Sequence, residues 1–342
     1  MKKIILFLAF PIGFAIGVLW FIGGHAQESS ILPARKVAKP PVVDGQVDVL
    51  WQQAKPLKIP VTGGANLPNG STDVILRAIY TDTDVFFLAE WRDKTQSYQR
   101  SPWKKQADGS WVKLRDPDDK GGDSNKYYED KLALLWSINI AGFEAAGCMV
   151  ACHAGEPGKP YGNKYTNNSG ELGDIWHWKS VRTGPVGQID DQYVDSTRYD
   201  KDKSPEAGRK SDPKTAGGYV DNVSDDKKSP KFAAKGNKPA PPYWIVDQEK
   251  EPFDGGKYKV GDEVAGIIVA PFTGDRGDIS AKAFWSKGVW TLEFSRKLKT
   301  GSQYDVQFDD LSKQYAFGVA VFDNAQVRHG FSTMPYRLSF GK

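Results

Sequence analysis

Thr72-Asp73-Val74-Ile75-Leu76-Arg77-Ala78-Ile79-Tyr80 leads through Thr81-Asp82-Thr83-Asp84 into Val85-Phe86-Phe87-Leu88-Ala89-Glu90-Trp91. In the first run Val74, Leu76 and Ala78 fall on one face and Ile75, Arg77 and Ile79 on the other, the period-two spacing of a strand. The four residues between the runs are turn formers, so the whole reads as a β-hairpin. Working outward, 131–138 is a mostly apolar run suited to a strand covered on both faces, and 243–246, 265–269, 288–294 and 315–322 carry further strand patterning. The segment 42–48, with Trp51 and Ala54 after it, reads as a first strand and turn.

Eleven tryptophans, 35 glycines and 21 prolines point to a loop-rich β protein and away from a helical bundle. Residues 94–126 show no period and read as a long surface loop. The stretch 154–242 is rich in Asp, Lys, Gly and Pro, a composition that buries little apolar surface, interrupted by the aromatic island 172–179. A loop of that length in a compact domain usually has a task, such as wrapping a cofactor. Strands on both sides of it favour one antiparallel β-sandwich, DOMON-like or immunoglobulin-like, with a long irregular insertion, over two consecutive domains.

Met1-Lys2-Lys3 precedes an uncharged apolar run, 4–24, with small residues before Gln27. This is the pattern of an export signal at 1–26, and the run is also long enough to be an inner-membrane anchor. Residues 27–41 then read as a linker and 42–342 as the sandwich domain, placed in the periplasm, soluble or tethered. Formal charge is +4, with two of the lysines in the leader, and no basic run is interleaved with aromatics, which excludes nucleic acid as a partner. A serine elbow, a His-Glu metal helix and a glycine-rich phosphate loop are all missing from the sequence, so no catalytic role is expected.

The chemistry concentrates in Gly147-Cys148-Met149-Val150-Ala151-Cys152-His153, which holds both cysteines and one of only four histidines. Two thiols followed at once by an imidazole is how a chain attaches haem c, although the usual spacing has two residues between the cysteines and this one has three. A disulfide would close a very short loop, stabilise little and leave His153 unexplained. Zinc would need two further ligands, and no second Cys/His cluster supplies them. One haem c, bound through Cys148 and Cys152 with His153 as proximal iron ligand, is therefore expected. The distal ligand is open among His329, His177 and Met334, with His329 preferred for its place after the last strong strand and its Asp323-Asn324 turn. Met149 lies inside the attachment loop, on the same side as His153. Trp136, Trp176 and Trp178 are candidate walls for the porphyrin, and Lys179 and Arg182 could pair with its propionates.

The 43–45 opening with Trp51, the 72–92 hairpin, the island Asp174-Ile175-Trp176-His177-Trp178-Lys179, and 321–324 with Arg328-His329-Gly330 together resemble the ethylbenzene dehydrogenase gamma-subunit-like haem-binding family. That family includes the gamma subunits of dimethylsulfide dehydrogenase and related molybdenum enzymes. The resemblance spans roughly 40–340 and implies a β-sandwich that holds one haem near one end of its sheets and passes electrons without substrate chemistry. The named gamma subunits hold a b-type haem through Met and Lys. Here a Cys-x-x-x-Cys-His segment stands where their Met would fall, so the chain resembles a covalent, cytochrome c-like branch. His329 lies near the segment that carries the relatives' second ligand. An exported monohaem cytochrome relaying electrons to a redox partner protein, an oxidoreductase or a membrane electron carrier, is the function implied. The alternatives are a carbohydrate- or other ligand-binding module and a haem sensor with an open distal site.

Overall fold

Thirteen strands share one hydrogen-bonded system in the computed structural model, which describes residues 30–119, 126–153 and 164–341. They are β1 (Ile31–Lys36), β2 (Leu57–Thr62), β3 (Ser71–Tyr80), β4 (Asp84–Arg92), β5 (Lys131–Ser137), β6 (Gly173–Lys179), β7 (Asp190–Val194), β8 (Arg209–Ser211), β9 (Ser280–Ser286), β10 (Val289–Lys297), β11 (Gln314–Phe322), β12 (Gly330–Phe331) and β13 (Tyr336–Phe340). The hairpin is β3–β4, in antiparallel register from Val74↔Trp91 to Tyr80↔Val85. The order is β8-β7-β6-β5-β11-β12-β2-β3-β4-β10-β9, and β1 with β13 makes a second link from β11 to β3. The system folds back on itself at these links. β3, β4 and β10 thereby face β5, β6 and β11 as the two layers of a sandwich.

Alternation builds the core between the layers. Val85, Phe87, Ala89 and Trp91 of β4 point inward, as do Leu132, Leu134 and Trp136 of β5 and Trp176 and Trp178 of β6. Phe87 meets Trp136 and Trp176 across the layers at ring-centroid distances of 5.9 and 5.7 Å, and Trp91 meets Trp178 at 6.0 Å. Burying each such side chain contributes roughly 1.5–3 kcal/mol or more, set against the entropy of ordering the chain.

Several boundaries differ from the sequence reading. Residues 42–48 are a turn instead of the first strand. The backbone N–H groups of Asp44 and Gly45 donate to Glu293 Oε2 at 3.1 and 2.7 Å, and Trp51 Nε1 donates to Oε1 at 2.7 Å. This set clamps onto the outer face of β10. The first strand is β1, parallel to both β13 and β3, so 31–36 belongs to the sheet and not to a linker. The 94–126 segment contains the paired strands Trp103–Lys105 and Trp111–Lys113, with Trp103 buried against Tyr258 and Val264.

The stretch 154–242 is also less irregular than its composition suggests. Its described part carries β6, β7 and β8, which extend the sheet, and Ala216–Asp221, which pairs with Ile267–Thr273. Asp190 and Asp191 are fully buried. Asp190 is inside because it meets partners, Lys179 and Arg276. The apolar segment 4–24 lies outside the described residues. Among the described residues no helix is long and apolar enough to cross a membrane.

Candidate functional site

A cavity of about 360 Å³ lies on the outward face of β5, β6 and β11, beneath the chain that follows β5 and the loop that follows β11. The alternation that turns Trp136, Trp176 and Trp178 into the core turns Ala133, Leu135, Ile175, His177, Gly318 and Phe322 toward this cavity. Trp176 and Trp178, expected to wall a cofactor, are thus on the wrong face of β6. They are core residues, 0% and 1% exposed.

Past β5 the chain makes one helical turn, Phe143–Ala146, and a tight turn, Gly147–Val150. Gly147 has φ +55°, and a Cβ there would stand 3.1 Å from Pro335 N, so glycine lets the turn press on the neighbouring backbone. The N–H groups of Ala151 and His153 both donate to the Cys148 carbonyl, at 3.2 and 3.0 Å. This wide closure absorbs the third intervening residue and puts Cys148, Cys152 and His153 together on the cavity wall. Phe143 and Ala151, fully buried against Leu135, Ile140 and Ile175, anchor the loop. Both cysteines are free thiols. Burial pushes the Cys148 thiol up and that of Cys152 up to about 11, so both are neutral.

His329 reaches the same cavity from the far side. Its Nδ1 lies 2.7 Å from the Val327 carbonyl. The carbonyl can only accept, so Nδ1 carries the proton and Nε2 keeps its lone pair. That Nε2 stands 3.3 Å from His153 Nε2. His153 stacks on Phe331 at 3.8 Å and His329 packs on Phe322 at 4.6 Å, which fixes both rings. Burial lowers His153 to about 4, and burial followed by the neighbouring His153 lowers His329 to about 3. Two neutral imidazoles with facing nitrogens form a donor pair for a transition metal.

His177 lines the cavity as well. It stacks on Phe322 at 5.4 Å, and its Nε2 has no hydrogen-bond partner. Met334 is 55% exposed, points away and leaves the pool of possible ligands; Met149 is likewise exposed. Lys179 lines the cavity but is ion-paired with Asp190, and Arg182 Nε donates to Glu129 Oε1 at 2.5 Å, so both propionate candidates are already engaged. Sequence reading passed over Lys131. Its amine donates to the Gln326 carbonyl at 3.0 Å, stands 3.8 Å over the Phe322 ring and makes no ion pair among the described residues. A lysine opening an otherwise apolar strand, on the face opposite Leu132 and Leu134, was the available signal.

Fold and site together describe an all-β sandwich with a three-histidine, two-thiol cavity on an outer sheet face. The chain belongs to the ethylbenzene dehydrogenase family, whose model matches residues 48–333. No curated protein matches it in sequence. Among solved structures it is similar to a family 9 carbohydrate-binding module from Caldicellulosiruptor kristjanssonii in complex with glucose, at 8% identity over 91% of this chain and 95% of that one, with a TM-score of 0.36. The same module in complex with cellotriose gives 9% identity over 91% and 93%, again with a TM-score of 0.36. Likeness at that level carries no functional argument.

Proposed function

We propose that the chain is an exported electron-transfer protein of this family. Cys148 and Cys152 would hold one haem c, His153 and His329 would hold its iron, and the chain would serve an oxidoreductase or a membrane electron carrier. The observation that carries this reading is the facing pair of nitrogens, 3.3 Å apart, in the cavity that both thiols line. Two metal–nitrogen bonds of about 2 Å each need about 4 Å between the nitrogens. Parting the two loops by less than about 1 Å would meet that need.

Cys148 and Cys152, both free thiols on the cavity wall, are the residues that would hold the group covalently. The bound group supplies a one-electron iron couple. With His153 and His329 both holding the iron, no position would be left for a substrate, which favours electron relay over a sensor with an open site. Phe322 and Phe331 hold the ligand rings, and Ala133, Leu135 and Ile175 give the floor an apolar part beside Lys131, His177 and Lys179. Export rests on the leader at 1–26.

The test is a haem stain of a denaturing gel, with the chain expressed alongside cytochrome c maturation machinery, together with a visible spectrum. A stained band and a low-spin spectrum that carbon monoxide does not change are expected. Absence of haem from the denatured chain would overturn covalent attachment, and ready carbon monoxide binding would overturn the two-ligand relay.

A further inference from the structure

On the other face of β6 lies a group of buried carboxylates unconnected with the cavity. Asp174 (β6), Asp191 (β7) and Asp305 (the loop between β10 and β11) are all buried, and each offers an oxygen so placed that the three lie within 4.8 Å of one another. That span matches two oxygens on opposite sides of a cation at about 2.4 Å each. Asp212, which follows β8, and Asp278, which precedes β9, belong to the same group: burial first, and then the neighbouring carboxylates Asp174 and Asp305, push both of their carboxyls up.

The independent observation is what these groups lack. Asp212 is 3% exposed and neither of its oxygens has a donor; Asp305 is 2% exposed and neither of its oxygens has one either. With Asp174 Oδ1, Asp191 Oδ2 and Asp278 Oδ1, seven buried carboxylate oxygens there have no donor. Arg296, the guanidinium within the group, donates to Asp174 Oδ2 at 3.0 Å, places the same Nη1 3.7 Å from Asp305 Oδ2, beyond hydrogen-bonding distance, and gives its other amino nitrogen to the Val306 carbonyl, so one cation faces five carboxylates.

A second buried triad, Asp93, Asp130 and Asp323, serves as an internal control. Both oxygens of its Asp130 accept hydrogen bonds, from Ser97 N, Asn324 N and Trp290 Nε1. Asp93 Oδ2 is the one buried oxygen of that triad without a donor, against seven in the group around Asp305. Buried like charges without donors cost too much to stand alone.

We infer that Asp174, Asp191, Asp212, Asp278 and Asp305 form a site for one calcium ion. Calcium takes roughly six to eight oxygens in loose geometry, while magnesium demands near-ideal octahedral placement and keeps its waters. Ligands from three strand regions and two loops suit the looser ion. The ion would tie β6, whose Ile175 and His177 face the histidine cavity, to β7, β8 and the Asp305 loop. The proposal stands whether or not the cavity holds haem.

The test uses the full chain. Elemental analysis after desalting should find about one calcium per chain. Chelation should lower the thermal unfolding midpoint by roughly 5–10 °C, the size expected for loss of a ligand held well above its dissociation constant. Calcium chloride should restore it, and magnesium at the same concentration should not. Asp212→Asn is close in shape and relieves repulsion, so it should fold yet need at least tenfold more calcium for the same midpoint. Asp93→Asn, in the second triad, should leave the calcium response as it is. No bound metal together with a midpoint unmoved by calcium would overturn the site, leaving carboxyls that share protons. Equal restoration by magnesium would overturn the choice of ion.

Discussion

His329 is the residue on which the proposed iron site turns, because it comes from a loop remote in sequence from the attachment motif and meets His153 head on at 3.3 Å. His329→Ala should leave the haem stain intact, since the thiols are untouched, and convert the low-spin spectrum to one that binds carbon monoxide readily. An unchanged low-spin spectrum would move the assignment to His177. Gly318 gives a second, purely steric prediction. A Cβ there would stand 2.4 Å from Cys148 Sγ, so the thiol lies flat on β11 only because the strand has no side chain at that point. Gly318→Ala should cost about 1–3 kcal/mol in urea unfolding, the usual cost of overpacking. The cost should largely vanish in a Cys148→Ala background, where the clashing atom is gone. Equal costs in both backgrounds would show that the contact is not the cause.

One strand, β6, separates the core from the cavity by alternation alone, and its two faces should respond differently. Trp176→Ala opens a hole among Phe87, Trp136 and Phe294 and should cost about 3–5 kcal/mol. His177→Ala should cost well under half of that, because its Nε2 already lacks a partner, and should leave any low-spin haem spectrum in place. Chemical denaturation and a visible spectrum of each variant read both. The same strand shows what was legible in the sequence. The spacing of Trp176, His177 and Trp178 put the imidazole opposite the indoles, which is what β6 does, but spacing could not say which face looked into the sandwich. The hairpin β3–β4 was legible from its period-two spacing and the turn formers between its runs, and β5 from a mostly apolar run. Strand β7 was not, because Asp190 and Asp191 are buried by ion pairing and crowding, an interior without an apolar signature. The turn around Gly45 and Trp51 was misread as a strand, since its partner Glu293 lies 248 residues on from Gly45.

At the scale of the whole molecule, one covering segment is tied to the sandwich by buried charge as well as by apolar packing, and this makes its attachment sensitive to acid. Glu129, just before β5, is fully buried and accepts from the backbone N–H groups of Val181 and Arg182, with the guanidinium groups of Arg182 and Arg100 beside it. Burial pushes its carboxyl up, but Arg182 first and Arg100 next more than offset that, and it sits below its ordinary value. A depressed folded value means the stabilisation is complete above the unfolded value, about 4.3, and is lost as pH falls through the folded one. Glu129→Gln keeps the shape and removes the charge, leaving Arg182 buried beside an amide. At pH 7 it should lower stability by about 3–5 kcal/mol, the range for breaking a buried pair from one side. The deficit should stay level down to about pH 5 and shrink progressively below about pH 4, as the wild-type carboxylate takes up its proton. Urea unfolding of both proteins at pH 7, 5 and 3 reads the difference. A deficit as large at pH 3 as at pH 7 would mean that the shape of Glu129, and not its charge, holds the 181–182 turn over the cavity.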